Sequence, residues 1–178
     1  RYKMKLLTVA IPCYNSSEYM DKSIRSAISG GDRVEVVVVD DGSSDNTLEI
    51  ANKYQKKFPD IVKVVHQENG GHGEAVNTGI KNATGLYFKV LDSDDCLGKN
   101  ALQKVLDLLE DMVSKDAGLD MLISNFMYDK QGAKHKKIMK YKSAMPVGRM
   151  FGWDELHFGT SQYLLMHSVI YRTKVLRE

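Results

Sequence analysis

Two cysteines in 178 residues, Cys13 and Cys96, are too few for a disulfide framework. Neither stands in a Cys-x-x-Cys or at metal spacing from a histidine, so both read as reduced thiols of an intracellular chain and as small packing residues. Long apolar runs are missing as well. Runs such as Val36 to Val39 and Met121 to Ile123 fall far short of the roughly 18–20 residues that cross a bilayer. Behind the opening Arg1-Tyr2-Lys3-Met4-Lys5 there is no signal-peptide core. The expectation is a cytoplasmic chain without a membrane span, any membrane association coming from sequence outside it. Charge of one sign is absent too: 25 Lys+Arg against 23 Asp+Glu leave +2, too mild for a nucleic-acid binder, whose basic residues crowd one face. Arg1 replaces an initiator Met, and Val175-Leu176-Arg177-Glu178 resembles mid-helix sequence without a stop signal, so a fragment is expected. What remains, 43% hydrophobic and 27% charged, suits one ordinary globular domain and excludes disorder and collagen-like repeats.

The pattern alternates strand and helix. Leu6 to Cys13 is an apolar run, and Ser16 or Ser17 followed by Glu18, Ile24 and Ile28 predicts a capped helix. Val34 to Val39 suits a strand buried on both faces, and Ser44 with Leu48, Ala51, Tyr54 and Phe58 starts a second helix. Val62 to Val65, Ala75 to Ala83 and Leu86 to Leu91 predict strand, helix and strand. A helix over Ala101 to Met112 and a strand over Met121 to Met127 follow. This order implies an α/β fold with a mostly parallel sheet and right-handed crossovers. The last fifty residues are less regular. Tyr128 to Lys142 carries six lysines and reads as a solvated hairpin or loop, with a phosphate-binding patch as the other reading. Gly152 to Tyr163 mixes Trp153, His157, Phe158 and Tyr163 in a loop-like setting that could line a pocket.

In such sheets ligands bind beyond the carboxyl ends of the strands. Those ends read Pro12-Cys13-Tyr14-Asn15, then Asp40-Asp41-Gly42-Ser43-Ser44-Asp45, then Asn69-Gly70-Gly71-His72-Gly73, then Asp92-Ser93-Asp94-Asp95. Three carboxylates within four residues repel one another unless a cation sits among them. Mg²⁺ or Mn²⁺ fits an Asp-x-Asp, although the same residues also suit an Asp-rich turn capping the next helix. An EF-hand is excluded by spacing. Asp40 and Asp41 can form a plain turn, or accept from a nucleobase imide or from ribose hydroxyls, with Tyr14 packing against a base ring. Neither a dinucleotide fingerprint nor a P-loop is present.

Taken together, these strand ends resemble the family 2 glycosyltransferases, which carry the GT-A fold, a Rossmann-like sheet flanked by helices. The resemblance is carried by Val9 to Asn15, Val38 to Asp45, the Asn69-x-Gly71-x-x-x-Ala75-x-Asn77-x-Gly79 run and the Asp-x-Asp motif. It is strong over residues 5 to 110 and weak beyond. It implies one domain with a nucleotide-sugar-binding half, 1–98, and an acceptor-side half, 99–178. It further implies Pro12, Tyr14 and Asp41 about a uracil, Asp40 or Asp92 toward the ribose, and Asp94 or Asp95 on Mn²⁺ or Mg²⁺. Asn15, Glu18, Gly71, Asn77 and Ser93 complete the implied nucleotide site, Glu18 closing over the ligand. The implied chemistry is inverting transfer from a UDP-sugar to a glycan or lipid-linked acceptor in surface polysaccharide synthesis.

Such a reaction needs a carboxylate base. The resemblance places it beyond the segment Ser168-Val169-Ile170-Tyr171-Arg172, hence beyond Glu178; Asp154 and Glu155 are the late candidates within the chain. Val76 stands where many relatives carry an Arg, so a donor-side cation must come from elsewhere, and His72 is nearby. A catalytically silent nucleotide-sugar-binding module is the alternative. A sugar nucleotidyltransferase is disfavoured because no Gly-rich loop with Arg and Lys follows the first strand. A receiver domain is disfavoured by the placement of its acidic residues.

Overall fold

Eight consecutive residues, Val34 to Asp41, are buried, as a β-branched strand with helices on both faces must be. In a computed structural model, which describes residues 4–128, 137–160 and 162–178, they form β2 (Val34–Asp41). It pairs parallel with β1 (Leu7–Cys13) on one side and with β3 (Val62–Gln67) on the other. Parallel to the far edge of β1 runs β4 (Tyr87–Val90). The crossovers are α1 (Met20–Ile28), α2 (Thr47–Lys57) and α3 (His72–Asn82), and α4 (Lys99–Ser114) follows β4. Short strands β5 (Met121–Ile123), β6 (Phe126–Tyr128), β7 (Lys137–Met139) and β8 (Val169–Arg172) complete the chain. The main sheet has the order β3-β2-β1-β4-β8-β5, and β6-β7 stand apart as an antiparallel hairpin. Its connection, residues 129–136, lies outside the described residues, as do several lysines of the basic stretch expected there.

Several boundaries differ from the pattern. α1 begins at Met20, later than Ser16 or Ser17; the backbone N–H groups of Tyr19 and Met20 bond to the Ser16 carbonyl, and no side chain caps the helix. The strand expected over Met121 to Met127 is two strands, β5 and β6. The antiparallel β8, paired Tyr87↔Arg172 and Phe88↔Tyr171, is not among the strands the pattern predicts, because four residues after an irregular stretch carry no periodicity. The final residues form a 3-10 turn, Thr173–Arg177, rather than mid-helix. There Thr173 donates N–H to Leu86 O and its hydroxyl to Gly85 O, while Arg177 clamps the carbonyls of Ile80 and Ala83.

The chain divides into two compact units, one of residues up to Asp120 with Tyr171–Glu178, the other Met121–Ile170. In the first, α3 presses on the sheet at Gly79, where a Cβ would stand 2.8 Å from that of Ala10, so glycine permits the approach. In the second, Tyr141, Ala144 and Met145 are buried against Ile123, Phe126, Met139 and Leu164, and the Tyr141 hydroxyl lies 2.9 Å from Ser168 Oγ.

At the amino end of the sheet the buried Glu35 carboxylate accepts from Thr8 Oγ1 at 2.7 Å, Thr84 N at 2.8 Å and Thr84 Oγ1 at 2.9 Å. Thr8 Oγ1 in turn accepts from Gly85 N. This cluster ties β1, β2 and the turn into β4 at the end remote from the carboxyl edge.

Before α2, Asp45 accepts from Thr47 N, Thr47 Oγ1 and Ser17 N. Desolvation works upward on this carboxyl, but the Thr47 and Ser17 bonds outweigh it and bring it from the ordinary 3.8 to about 2. A depressed carboxyl stabilises the fold above its unfolded pKa and loses that contribution as pH falls toward the folded value. Melting temperature should therefore fall as pH drops from about 4 to about 2. Asp45→Asn should flatten that limb, and an unchanged acid slope in the variant would remove Asp45 from the account.

Candidate active site

The four parallel strand ends are laced together by side chains of the turns that follow them. Asn15, held at φ 48, accepts from Ser44 N on its Oδ1 at 2.9 Å and donates its own N–H to Ser43 Oγ. Ser16 donates N–H to Thr47 Oγ1, and its hydroxyl lies 2.8 Å from Ser93 Oγ. From α1, the Ser23 hydroxyl bonds to Asp92 O. From the start of α3, His72 Nε2 lies 3.1 Å from Asp92 Oδ1. The β2 turn closes on the β3 turn at Gly42, where φ is +71 and a Cβ would meet Asn69 N at 2.8 Å; only glycine fits both demands.

These ties enclose an open depression of about 270 Å³ lined by Pro12, Tyr14, Ser16, Tyr19, His72, Asp92, Ser93 and Asp94. Five of those eight, namely Pro12, Tyr14, Asp92, Ser93 and Asp94, are expected from the sequence. Tyr14 is 57% and Tyr19 51% exposed, so two aromatic faces are open to a planar ligand. Asp94 is exposed, and the carboxylate oxygens of Asp92 and Asp95 approach within 4.8 Å of each other.

Other expected residues stand elsewhere. Asp41 is 2% exposed and accepts from Gln67 Nε2, Gly70 N and Gly71 N at 2.7–2.9 Å, so its carboxylate organises the loop before α3. Gly71 takes part through that N–H. Asp40 is fully buried. Its Oδ2 lies 2.7 Å from His66 Nδ1, and its Oδ1 has no hydrogen-bond partner among the described residues. Asn77 is exposed on α3 and donates to Glu74; Glu18 is exposed in the turn before α1. Neither lines the depression.

The cysteines differ in their surroundings. Burial pushes the Cys13 thiol up to about 12, with Asp40 adding to the effect, which fits a packing residue. Cys96 is exposed, so the packing reading fails for it.

Ser16 and Tyr19 join the depression without a motif to announce them. Lys89 also escapes a motif search, although a lysine inside Leu86-Tyr87-Phe88-Lys89-Val90-Leu91 is conspicuous in an otherwise apolar run. It is 6% exposed; burial pulls its ammonium down to about 8 while the charges of Asp95 and Asp92 oppose that pull.

In the other unit, Asp154 and Glu155 line a shallow depression of about 370 Å³ with Lys142 and His157. Glu155 is engaged by both terminal nitrogens of Arg149, and that bond lowers its pKa against a smaller opposing effect of burial. A carboxylate so held is a weaker proton acceptor than a free one.

Among the described residues no helix is long and apolar enough to cross a membrane.

Residues 8–172 match the model of the glycosyl transferase family 2. A glycosyltransferase of Rickettsia felis is 34% identical over 149 residues, 82% of this chain and 23% of that protein. The minor teichoic acid biosynthesis protein GgaA of Bacillus subtilis is 29% identical over 160 residues, 86% of this chain and 35% of GgaA. Residues 1–349 of Staphylococcus aureus TarS in complex with UDP superpose with a TM-score of 0.69 at 29% identity, covering 97% of this chain and 48% of that one. The same TarS segment is known in complex with UDP-GlcNAc. The chain thus spans 23% and 35% of these two relatives and 48% of the TarS segment.

Proposed function

Since the chain belongs to glycosyltransferase family 2 and has the GT-A fold, we propose that it carries the donor site of an inverting transferase moving a sugar from a UDP-sugar to an acceptor hydroxyl. The observation that supports this most is the convergence of the segments after β1, β3 and β4 on one depression offering aromatic faces and carboxylates. The UDP and UDP-GlcNAc complexes of TarS support a UDP-sugar donor. The part of GgaA in minor teichoic acid biosynthesis supports a surface-polymer acceptor. Residues 1–98 form the donor half and 99–178 the acceptor side.

Tyr14 stacks on the base, with Pro12 beneath it. Asp40 Oδ1 is buried without a hydrogen-bond partner among the described residues, a cost that an imide N–H or a ribose hydroxyl would relieve if the β1 and β2 ends part on binding. Asp41 serves the same end of the ligand indirectly, by holding the Gly70-Gly71 loop. Asp92 is oriented by His72 and by the Ser23 bond to its carbonyl.

The carboxylates of Asp92 and Asp95, within 4.8 Å of each other, suit a hard divalent cation, and Asp94 or Asp95 would hold Mn²⁺ or Mg²⁺. When bound, such a cation neutralises charge on the departing nucleoside diphosphate. The proposal is tested by isothermal titration of UDP, GDP, ADP and dTDP with Mn²⁺ and then with EDTA. Selective UDP binding that strengthens with Mn²⁺ is expected, and equal affinity for all four nucleotides would sink it. Asp94→Ala should weaken Mn²⁺-dependent UDP binding at least about tenfold, roughly 1.4 kcal/mol, and leave binding in EDTA near wild type. An unchanged Mn²⁺ arm would remove Asp94 from the cation site.

A further inference from the structure

Lys89 does not line the donor depression. It lies in β4 among Tyr87, Phe88 and Val90, all buried, and is itself 6% exposed. Burying an ammonium is costly unless opposite charge compensates it, and an apolar residue would fill this strand position without that cost. The opposite charge comes from Asp95 and Asp92, both acting on Lys89. These two are the carboxylates that approach each other at the strand end three residues on. Two carboxylates of the turn and one buried ammonium thus act on one another.

Resting on the donor-site reading above, we propose that Lys89 is a positioning residue, a fixed positive charge beneath the Asp92–Asp95 turn that offsets the repulsion of its carboxylates and lends the site attraction for an anionic diphosphate. A side chain anchored in the sheet keeps this charge in place whether or not a divalent cation is bound. It therefore attracts the nucleotide and opposes the cation at the same time. Removing it should move the two ligands in opposite directions, which damage to folding or packing does not do.

The test compares wild type with Lys89→Met, of similar length and without charge, and with Lys89→Gln as a polar second variant. UDP is titrated calorimetrically in EDTA and with Mn²⁺, and Mn²⁺ alone is titrated by the paramagnetic resonance of the free ion. In both variants UDP in EDTA should bind at least about fivefold more weakly and Mn²⁺ alone at least about threefold more tightly, as loss of one nearby charge requires. Equal shifts of both ligands in one direction, or no shift, overturn the proposal. Failure of both variants to melt cooperatively assigns Lys89 to the core and overturns it as well. Wild type binding no UDP even with Mn²⁺ overturns the donor-site reading instead, and the Mn²⁺ titration alone then decides the role of Lys89.

Discussion

Glu35→Ala should lower the unfolding free energy by about 3–5 kcal/mol, because three donors at or below the protein surface lose their acceptor together and each such loss costs about 1–3 kcal/mol. The donors are the Thr8 hydroxyl, the Thr84 backbone N–H and the Thr84 hydroxyl. Thr8 is fully buried, so water does not replace the carboxylate there. In a chain of this size the loss corresponds to a fall in melting temperature of about 6–15 °C. UDP affinity should stay near wild type, since six residues of strand, roughly 20 Å, separate Glu35 from Asp41. Chemical and thermal unfolding measure the first effect, and a loss under about 1 kcal/mol would show that the cluster relaxes around alanine.

Asp41→Ala should act at the other end of the same strand and on both quantities. Its carboxylate holds Gly70 N, Gly71 N and Gln67 Nε2, bonds to a charged acceptor worth more than neutral ones. Water can reach Gly70 and Gly71, so the expected cost is held to about 2–4 kcal/mol. Without that anchor the loop ahead of α3 loses its set conformation and His72 loses its position beside Asp92. UDP binding should weaken to a similar degree with Mn²⁺ and with EDTA, in contrast to Asp94→Ala. An unchanged melting temperature combined with an altered nucleotide preference would make Asp41 a base contact rather than a loop anchor.

The parallel part of the fold is legible in the sequence because each strand buried on both faces is a dense apolar run and each helix carries a 3.6-residue repeat. Val34 to Val39 and the Leu102, Leu106 and Leu109 stripe are examples. β8 is not legible, since four residues show no period and the pairing with β4 depends on a return of the chain some eighty residues later. At the site, residue types at strand ends point to Pro12, Tyr14, Asp92, Ser93 and Asp94. Whether a carboxylate faces ligand or backbone is decided by hydrogen bonds that spacing does not encode. Asp40 and Asp41 are adjacent, yet one leaves an oxygen without a described partner and the other commits both. Lys89 carries no motif; its significance comes from burial beside the acidic turn, which only the packed structure shows.

The late insertion of β8 beside β4 has a consequence for synthesis on the ribosome. β3, β2, β1 and β4 can assemble once residue 90 has emerged, but the outer edge of β4 then remains an open row of backbone donors and acceptors. An open strand edge invites pairing with another chain, and slow vectorial synthesis prolongs such exposure. The edge is closed only when Tyr171 and Arg172 pair with Phe88 and Tyr87 and Thr173 bonds back to Gly85 and Leu86. The nascent chain therefore carries a sticky margin for some eighty residues of elongation, until β8 covers it.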